Sequence, residues 1–101
     1  RIIPEQTTLL PNYPNPFNPE TWIPYELAEE AWVEIKIYST AGQLIRTLEL
    51  GVQPPGRYIS QPKAAYWNGV TERGEKAASG IYFYMLKANH FGATRKMVIF
   101  K

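Results

Sequence analysis

Apolar and polar residues alternate along much of this 101-residue chain, and a period of two residues indicates β-strands. The clearest case is the stretch 33–37, where three β-branched residues alternate with a glutamate and a lysine. A four-residue break ending at Gly42 separates it from a second such run, 44–50. This arrangement predicts an antiparallel β-hairpin, with Gly42 supplying the positive φ of the turn or of a bulge.

Three further stretches extend the pattern on either side of the hairpin. Residues 21–27 alternate in the same way, and Pro24 within them predicts an edge strand, because proline cannot donate to a ladder. Residues 81–86 are apolar or aromatic on both faces, which predicts a central strand covered on two sides. Residues 89–90 then predict a turn into a last strand, 94–101.

The remaining segments complete an all-β chain. Short β-prone pieces at 57–60 and 65–70 follow a proline-rich loop at 51–56, and no helical period extends beyond 77–79. About seven short strands with regular turns predict an immunoglobulin-like antiparallel β-sandwich without substantial helix, although the Cys…Trp…Cys spacing of true immunoglobulin domains is absent. Trp67 is the predicted centre of the core.

The first 20 residues differ from the rest of the chain. Residues 1–20 predict a Pro/Asn-rich strap and linker, and residues 21–101 the sandwich. Residues 14–19 read Pro-Asn-Pro-Phe-Asn-Pro, a stiff segment with Phe17 as its one large apolar side chain. The alternative is an ordinary proline-rich loop that leads into a β domain. Because the chain starts at Arg1 without a signal-peptide pattern, we expect it to be part of a longer protein.

The composition argues against catalysis and metal binding. The chain contains no cysteine and no aspartate, and its single histidine, His90, falls in a predicted turn. A Ser-His-Asp arrangement is therefore impossible, and Glu29 and Glu30 are adjacent in a turn rather than facing each other as a glycosidase pair. A calcium loop normally needs aspartates. We expect a protein that is not an enzyme and that holds no metal and no cofactor.

Charge and hydropathy limit the classes of partner that we expect for this chain. The net charge of +2 combines three Lys/Arg and seven Glu in residues 1–50 with eight Lys/Arg and two Glu in residues 51–101. The basic residues are dispersed over several strands, so we expect no nucleic-acid binding. No run of 18 apolar residues exists, so we expect no membrane insertion.

Two tryptophans are candidates for a ligand face. If the apolar positions of their strands face the core, Trp22 and Trp32 fall on the opposite face. On neighbouring strands they would form a platform for sugar rings or for a protein partner. The alternative is that the strap or loop prolines cover them.

Short motifs distributed over residues 11–101 carry a family resemblance. They comprise the proline hexamer, the strand positions that follow it, and later turn and strand signatures: Pro14 to Pro19, Thr21, Ile23, Tyr25, Leu27, Val33, Ile35, Ile37, Tyr38, Gly42, Ile45 to Leu48, Pro55, Gly56, Trp67, Asn68, Gly69, Ala78 to Tyr84 and Thr94 to Met97. In order and spacing they resemble the type A C-terminal sorting domain of the type IX (Por) secretion system. That family is related to the immunoglobulin-like domain of flagellar hook-capping proteins.

The resemblance implies a function in export. The parent protein would pass through the periplasm and cross the outer membrane of a Gram-negative-type bacterium to the cell surface or the medium. The domain would be the address that the outer-membrane secretion machinery reads, attached to the parent's upstream domains. The residues that match the recognised features of the family are Pro14, Asn15, Pro16, Gly80, Tyr82, Lys96 and Lys101.

At four of those positions, a structural explanation competes with recognition by the secretion machinery. Gly80 would open a strand where a Cβ would clash, Tyr82 would belong to the core, and Lys96 and Lys101 would protect a terminal strand from edge pairing. The chain also departs from the family, because Ser39 and Asn68 stand where the family often has aspartate.

Three hypotheses follow from the sequence. The first is a non-catalytic sorting and anchoring domain. The second is an accessory module that binds carbohydrate or protein through Trp22 and Trp32, which lie at positions that vary in the family. The third is a hook-capping-like assembly domain.

Overall fold

Nine β-strands and their connecting loops make up the computed structural model, which describes residues 2–100, and no helix occurs in that range. The strands are β1 (Thr8–Leu9), β2 (Thr21–Ile23), β3 (Tyr25–Leu27), β4 (Ala31–Ser39), β5 (Leu44–Gln53), β6 (Gly56–Tyr58), β7 (Ala65–Trp67), β8 (Gly80–Ala88) and β9 (Phe91–Ile99). They form two facing layers. The all-β, immunoglobulin-like sandwich expected from the sequence is confirmed.

The first layer is a four-stranded antiparallel sheet in the order β5-β4-β8-β9. The hairpin of β4 and β5 is the predicted one, and Gly42 lies in its turn at φ +83°. A two-residue turn, Asn89 and His90, joins β8 to β9, with Asn89 at φ +56°. Asparagine tolerates this left-handed conformation better than most residues, which explains its place in the turn.

The second layer consists of three rows of short strands that lie side by side. The middle row is β2 followed by β3, and these pair with β7 and β6, respectively, on one side. On the other side lie β1 and Tyr13, which pair with β3 and Trp22. Pro24 therefore lies at the interruption between β2 and β3, in the middle of the layer, where its carbonyl accepts a 3.1 Å hydrogen bond from the Leu10 N–H. The prediction of an edge position was wrong, because the ladder breaks at the residue that cannot donate.

The core fills the space between the two layers. It consists of the inward-facing residues of both layers and a few loop residues, with Trp67 completely buried at its centre, as predicted. The rings of Phe17 and Tyr82 meet Trp67 edge-on, with ring centroids 5.7 Å and 6.2 Å from it. Edge-to-face contacts of this kind stabilise beyond the area they bury.

Phe17 attaches the strap both to the core and to the edge of β9. Phe17 is only 2% exposed, while its main chain pairs in parallel with β9. Its N–H donates to the Val98 carbonyl and its carbonyl accepts from the Phe100 N–H, both at 3.0 Å. The Asn15 side-chain oxygen accepts a third bond, from the Val98 N–H, at 3.0 Å. The strap therefore covers the last part of the β9 edge and closes the core below it.

A buried tyrosine holds the beginning of the strap. The Tyr84 hydroxyl accepts from the Asn12 N–H and donates to the Leu10 carbonyl, each at 2.9 Å. The Asn12 side chain in turn donates to the Thr21 hydroxyl at 3.0 Å. These bonds connect β8 to the strap across more than 70 positions of sequence, so the strap is an integral part of the fold.

Strand β8 differs from its prediction on one face. It is central in its sheet, but Ile81 is 44% exposed, and Phe83 and Met85 are only partly buried. The second layer covers one face of the four-stranded sheet and nothing in the described range covers the other. The prediction of a strand covered on both sides was therefore wrong.

We expect Phe17→Ala to lower the free energy of unfolding by about 3 to 5 kcal/mol, because it empties the space beside Trp67. Phe100→Ala is the matched control, since Phe100 lies on the same strap contact but is 70% exposed, and should change stability by no more than about 0.5 kcal/mol. Urea denaturation followed by tryptophan fluorescence measures both. Equal losses for the two variants would contradict the assigned role of Phe17.

Alkaline pH should destabilise the fold through Tyr25. Its ring is buried and stacked on Tyr58 at 4.8 Å; burial first, and the charge of Tyr58 second, raise the pKa of the Tyr25 hydroxyl far above its ordinary value of 10.0. The folded state therefore retains a proton that the unfolded chain releases, so stability is full below about pH 10 and falls as the pH rises further. In urea titrations from pH 8 to 11, Tyr25→Phe should show a shallower loss than the parent chain. Tyr38→Phe, at a partly buried position, is the control. If stability falls as steeply with pH in Tyr25→Phe as in the parent chain, Tyr25 is not the group responsible for the loss.

Candidate functional site

The residues singled out by the resemblance converge at one end of the four-stranded sheet. Gly80 pairs with Ile99 and Tyr82 with Met97 in the β8–β9 ladder, and Asn15 of the strap bonds to Val98 beside them. We call this region the strap junction, and it comprises residues 14–19, 80–83 and 96–100. Lys101, the remaining candidate, lies outside the described residues. The strap junction is assembled from the two ends of the chain and the start of β8.

Pro14, Asn15 and Pro16 form the exposed side of the strap. The peptide bonds that precede the two prolines are cis. Asn15 combines exposure with a structural function, because its side chain satisfies a main-chain donor at the edge of β9. The exposed edge of the strap is thus available to a partner while it is fixed to the sheet.

Gly80 and Tyr82 have structural functions that differ from each other. Gly80 has φ +145° and a Cβ built there meets no atom within 4 Å, so the expectation of a clash was wrong. The backbone conformation is what requires glycine. Tyr82 is a core residue, and its hydroxyl donates to the Ala78 carbonyl at 2.8 Å. Burial raises the pKa of this hydroxyl.

Lys96 is exposed on the outer face of the sheet, directly opposite Phe83. Within residues 2–100 it has no ion pair, whereas Glu34 and Lys36 on the same face lie 3.8 Å apart. Next to Lys96 is an apolar surface that we call the outer patch. It consists of Tyr38, Leu44, Ile81, Phe83, Val98 and Phe100.

The outer patch was not predicted from the sequence. The signal was present, because 81–86 is apolar on both faces while a two-layer sandwich covers only one face of each sheet. Apolar side chains on the second face are therefore surface residues. A contiguous exposed patch of this kind is typical of an interaction site.

The end of the strap packs against the turn that follows the central tryptophan. Gly69 has φ +78°, and a Cβ there would lie 2.3 Å from the Pro19 carbonyl oxygen. A cleft of about 410 Å³ opens beside this contact, between Pro19, Gly69 and Ala77, and Lys76 is the one titratable group that lines it. A single lysine provides no acid, base or nucleophile pair, so the cleft has no evident catalytic arrangement.

The two candidate tryptophans do not form a common platform. Trp22 lies on β2, which pairs with β7, and Trp32 lies on β4 in the other layer. Trp22 is partly covered by Tyr13 at 6.3 Å and by Tyr66 at 5.5 Å, whereas Trp32 is 52% exposed. Because each points away from the core of its own layer, the two side chains face in opposite directions. The expectation of neighbouring strands was wrong.

Titratable groups are dispersed. His90 is exposed in the β8–β9 turn, and Glu29 and Glu30 are exposed in the loop before β4. Among residues 2–100 no three histidine, cysteine, aspartate or glutamate side chains cluster closely enough to hold a metal ion. The same part of the chain contains no helix that is long and apolar enough to cross a membrane.

Comparison with known proteins identifies the family. The profile of the FlgD Ig-like domain matches residues 20–90. The chain belongs to the FlgD Ig-like domain family. The fold is similar to that of a segment of dimeric latent PorU from Porphyromonas gingivalis, with a TM-score of 0.66 and 19% identity over 92% of this chain. The matched region is 9% of that PorU chain, and no curated protein matches this sequence.

Substitution of Gly69 tests how closely the strap packs against the turn that follows Trp67. Gly69→Ala should lower the free energy of unfolding by about 1 to 3 kcal/mol more than Gly74→Ala, because its Cβ meets the Pro19 carbonyl. Gly74 is the matched control, since it has φ +84° with nothing within 4 Å of a Cβ. Chemical denaturation measures the difference, and equal effects would show that the strap is not held against this FlgD Ig-like domain as described.

Proposed function

We propose that this FlgD Ig-like domain is a non-catalytic C-terminal sorting and anchoring module. It directs a parent protein through the periplasm and across the outer membrane, to the cell surface or the medium. The observation that carries the proposal is the convergence of Pro14, Asn15, Pro16, Gly80 and Lys96 on the strap junction. These are the residues that resemble the recognised features of type IX sorting domains.

The strap junction is suited to recognition because it exists only in the folded domain. Asn15 and Val98 are 83 positions apart in sequence but are joined by a hydrogen bond. A receptor that reads this surface would therefore accept a folded domain and reject an unfolded one. Gly80, Tyr82 and Phe17 support that surface from within, and the strap and Lys96 present it.

The partners follow from the same reasoning. The module binds the outer-membrane secretion machinery and remains attached to the upstream domains of its parent. It needs no cofactor and performs no reaction, and its dispersed basic residues do not suit nucleic acid. The family and the shared fold with a segment of PorU support an immunoglobulin-like interaction module, and the motifs of the strap and of β9 support sorting.

Export of a reporter tests the proposal. Residues 1–101 fused to the C-terminus of a periplasmic reporter, in a host with a type IX system, should deliver the reporter to the surface. Deletion of residues 94–101 should retain it in the periplasm. Lys96→Glu should lower delivery several-fold, whereas Lys87→Glu, the same charge change on the same sheet, should leave it unchanged. Absence of surface delivery, or delivery that survives the deletion, would refute the sorting function.

The family match favours a second candidate, a hook-capping-like assembly domain. Such a domain would self-associate or bind the end of a filament. Sedimentation velocity over a range of concentrations distinguishes the two functions, because the sorting module should remain monomeric. A concentration-dependent oligomer would favour assembly.

A further inference from the structure

The outer edge of β9 is only partly covered. The β8–β9 ladder uses alternate residues, so Gly92, Thr94 and Lys96 direct their N–H and C=O groups away from β8, in the same direction as Val98 and Phe100. The strap occupies Val98 and Phe100. Within residues 2–100, no hydrogen bond is formed by the outward main-chain groups of the other three.

The strap demonstrates that this edge accepts an added segment. Phe17 already pairs with it in parallel and makes two main-chain hydrogen bonds of 3.0 Å. A partner segment along Gly92 to Lys96 would extend this arrangement towards the β8–β9 turn. Addition of a strand to an open sheet edge is an established mode of peptide recognition.

Side chains at this edge indicate the chemistry of the segment that would bind there as an added strand. Leu44, Tyr38, Phe83 and Lys96 lie side by side in one cross-strand row on the outer face. An added strand would continue that row, so one of its side chains would lie opposite Lys96. Lys96 has no ion pair in the described range, and opposite charges across neighbouring strands stabilise a sheet.

The open part of the edge indicates a short extended segment. It runs only from Gly92 to Lys96, because the strap occupies the edge beyond it. Successive side chains of a strand point to opposite faces, so a segment with one side chain beside Lys96 directs the alternate ones to the face of Phe91 and Ala93. Phe91 and Ala93 are only partly buried, which favours apolar side chains at those alternate positions.

We infer that the open edge of β9, from Gly92 to Lys96, takes an extended acidic and apolar segment of a partner protein as an added β-strand, with a carboxylate of that segment against Lys96. The identity of the partner rests on the proposed function: the segment would belong to the component that recognises the sorting domain. The edge itself is defined by the fold.

Synthetic peptides test the edge directly. The probe is the blocked peptide Thr-Val-Glu-Val-Thr-Val-Glu, and its counterpart has lysine in place of both glutamates. In NMR titrations of the ¹⁵N-labelled chain, the glutamate peptide should slow amide hydrogen exchange at Gly92, Thr94 and Lys96. It should bind about two- to five-fold more tightly than the lysine peptide, the range expected for an opposite-charge cross-strand pair.

Three variants complete the design. Lys96→Glu should reverse the preference between the peptides, and Lys87→Glu on the neighbouring strand should preserve it. Thr94→Pro removes an outward N–H without touching the β8–β9 ladder and should abolish binding, with unchanged tryptophan fluorescence showing that the fold is intact.

Three results would overturn the inference. They are the absence of protection at the three amides, equal binding to Thr94→Pro, and protection that rises with protein concentration without peptide, which would assign the edge to a second copy. Failure of the sorting function is a separate outcome, because it would appear in the reporter assay and leave peptide binding intact.

Discussion

The fold depends on the double attachment of Phe17. Its ring fills the core beside Trp67, while its main chain completes the edge of β9 at Val98 and Phe100. The ring of Phe17 alone would close the core and leave the edge of β9 open. Its main-chain hydrogen bonds alone would leave a void below the sheet. Because one residue does both, burial in the core fixes the position of the strap, and the strap fixes the end of the last strand. Gly69 allows this arrangement, since any side chain there would displace the strap.

This attachment connects stability to function. The surface that resembles a sorting signal is made from the strap, β8 and the end of β9, which meet only after the long-range contacts have formed. Tyr84 anchors the other end of the same strap through Asn12 and Leu10, so the exposed prolines are held at both sides. A recognition surface of this type exists only in the folded domain, which suits the sorting function proposed above. The open part of the β9 edge and the outer patch lie next to it.

Alternation and turn residues in the sequence predicted the strands of the sandwich and the β4–β5 and β8–β9 hairpins, and the neighbours of Trp67 predicted its central position, because these features are local in the sequence. Predictions from alternation were wrong where the position or exposure of a residue depends on how the two layers are arranged. Pro24 is central because the ladder is interrupted around it, and Ile81 is exposed because only one layer covers β8. Trp22 and Trp32 alternate identically but belong to different layers, which no period of two can reveal.

The site was predicted in part for the same reason. The resemblance identified residues near both chain ends, and their convergence required the β8–β9 register and the Asn15 bond, which the sequence does not specify. Native-state hydrogen exchange tests whether the strap and the sandwich form one cooperative unit. The amides of Phe17, Val98 and Phe100 should exchange with the same opening free energy as core amides of β4, such as Ile35. Rapid exchange at those three amides while Ile35 stays protected would show instead that the strap opens independently of the sandwich.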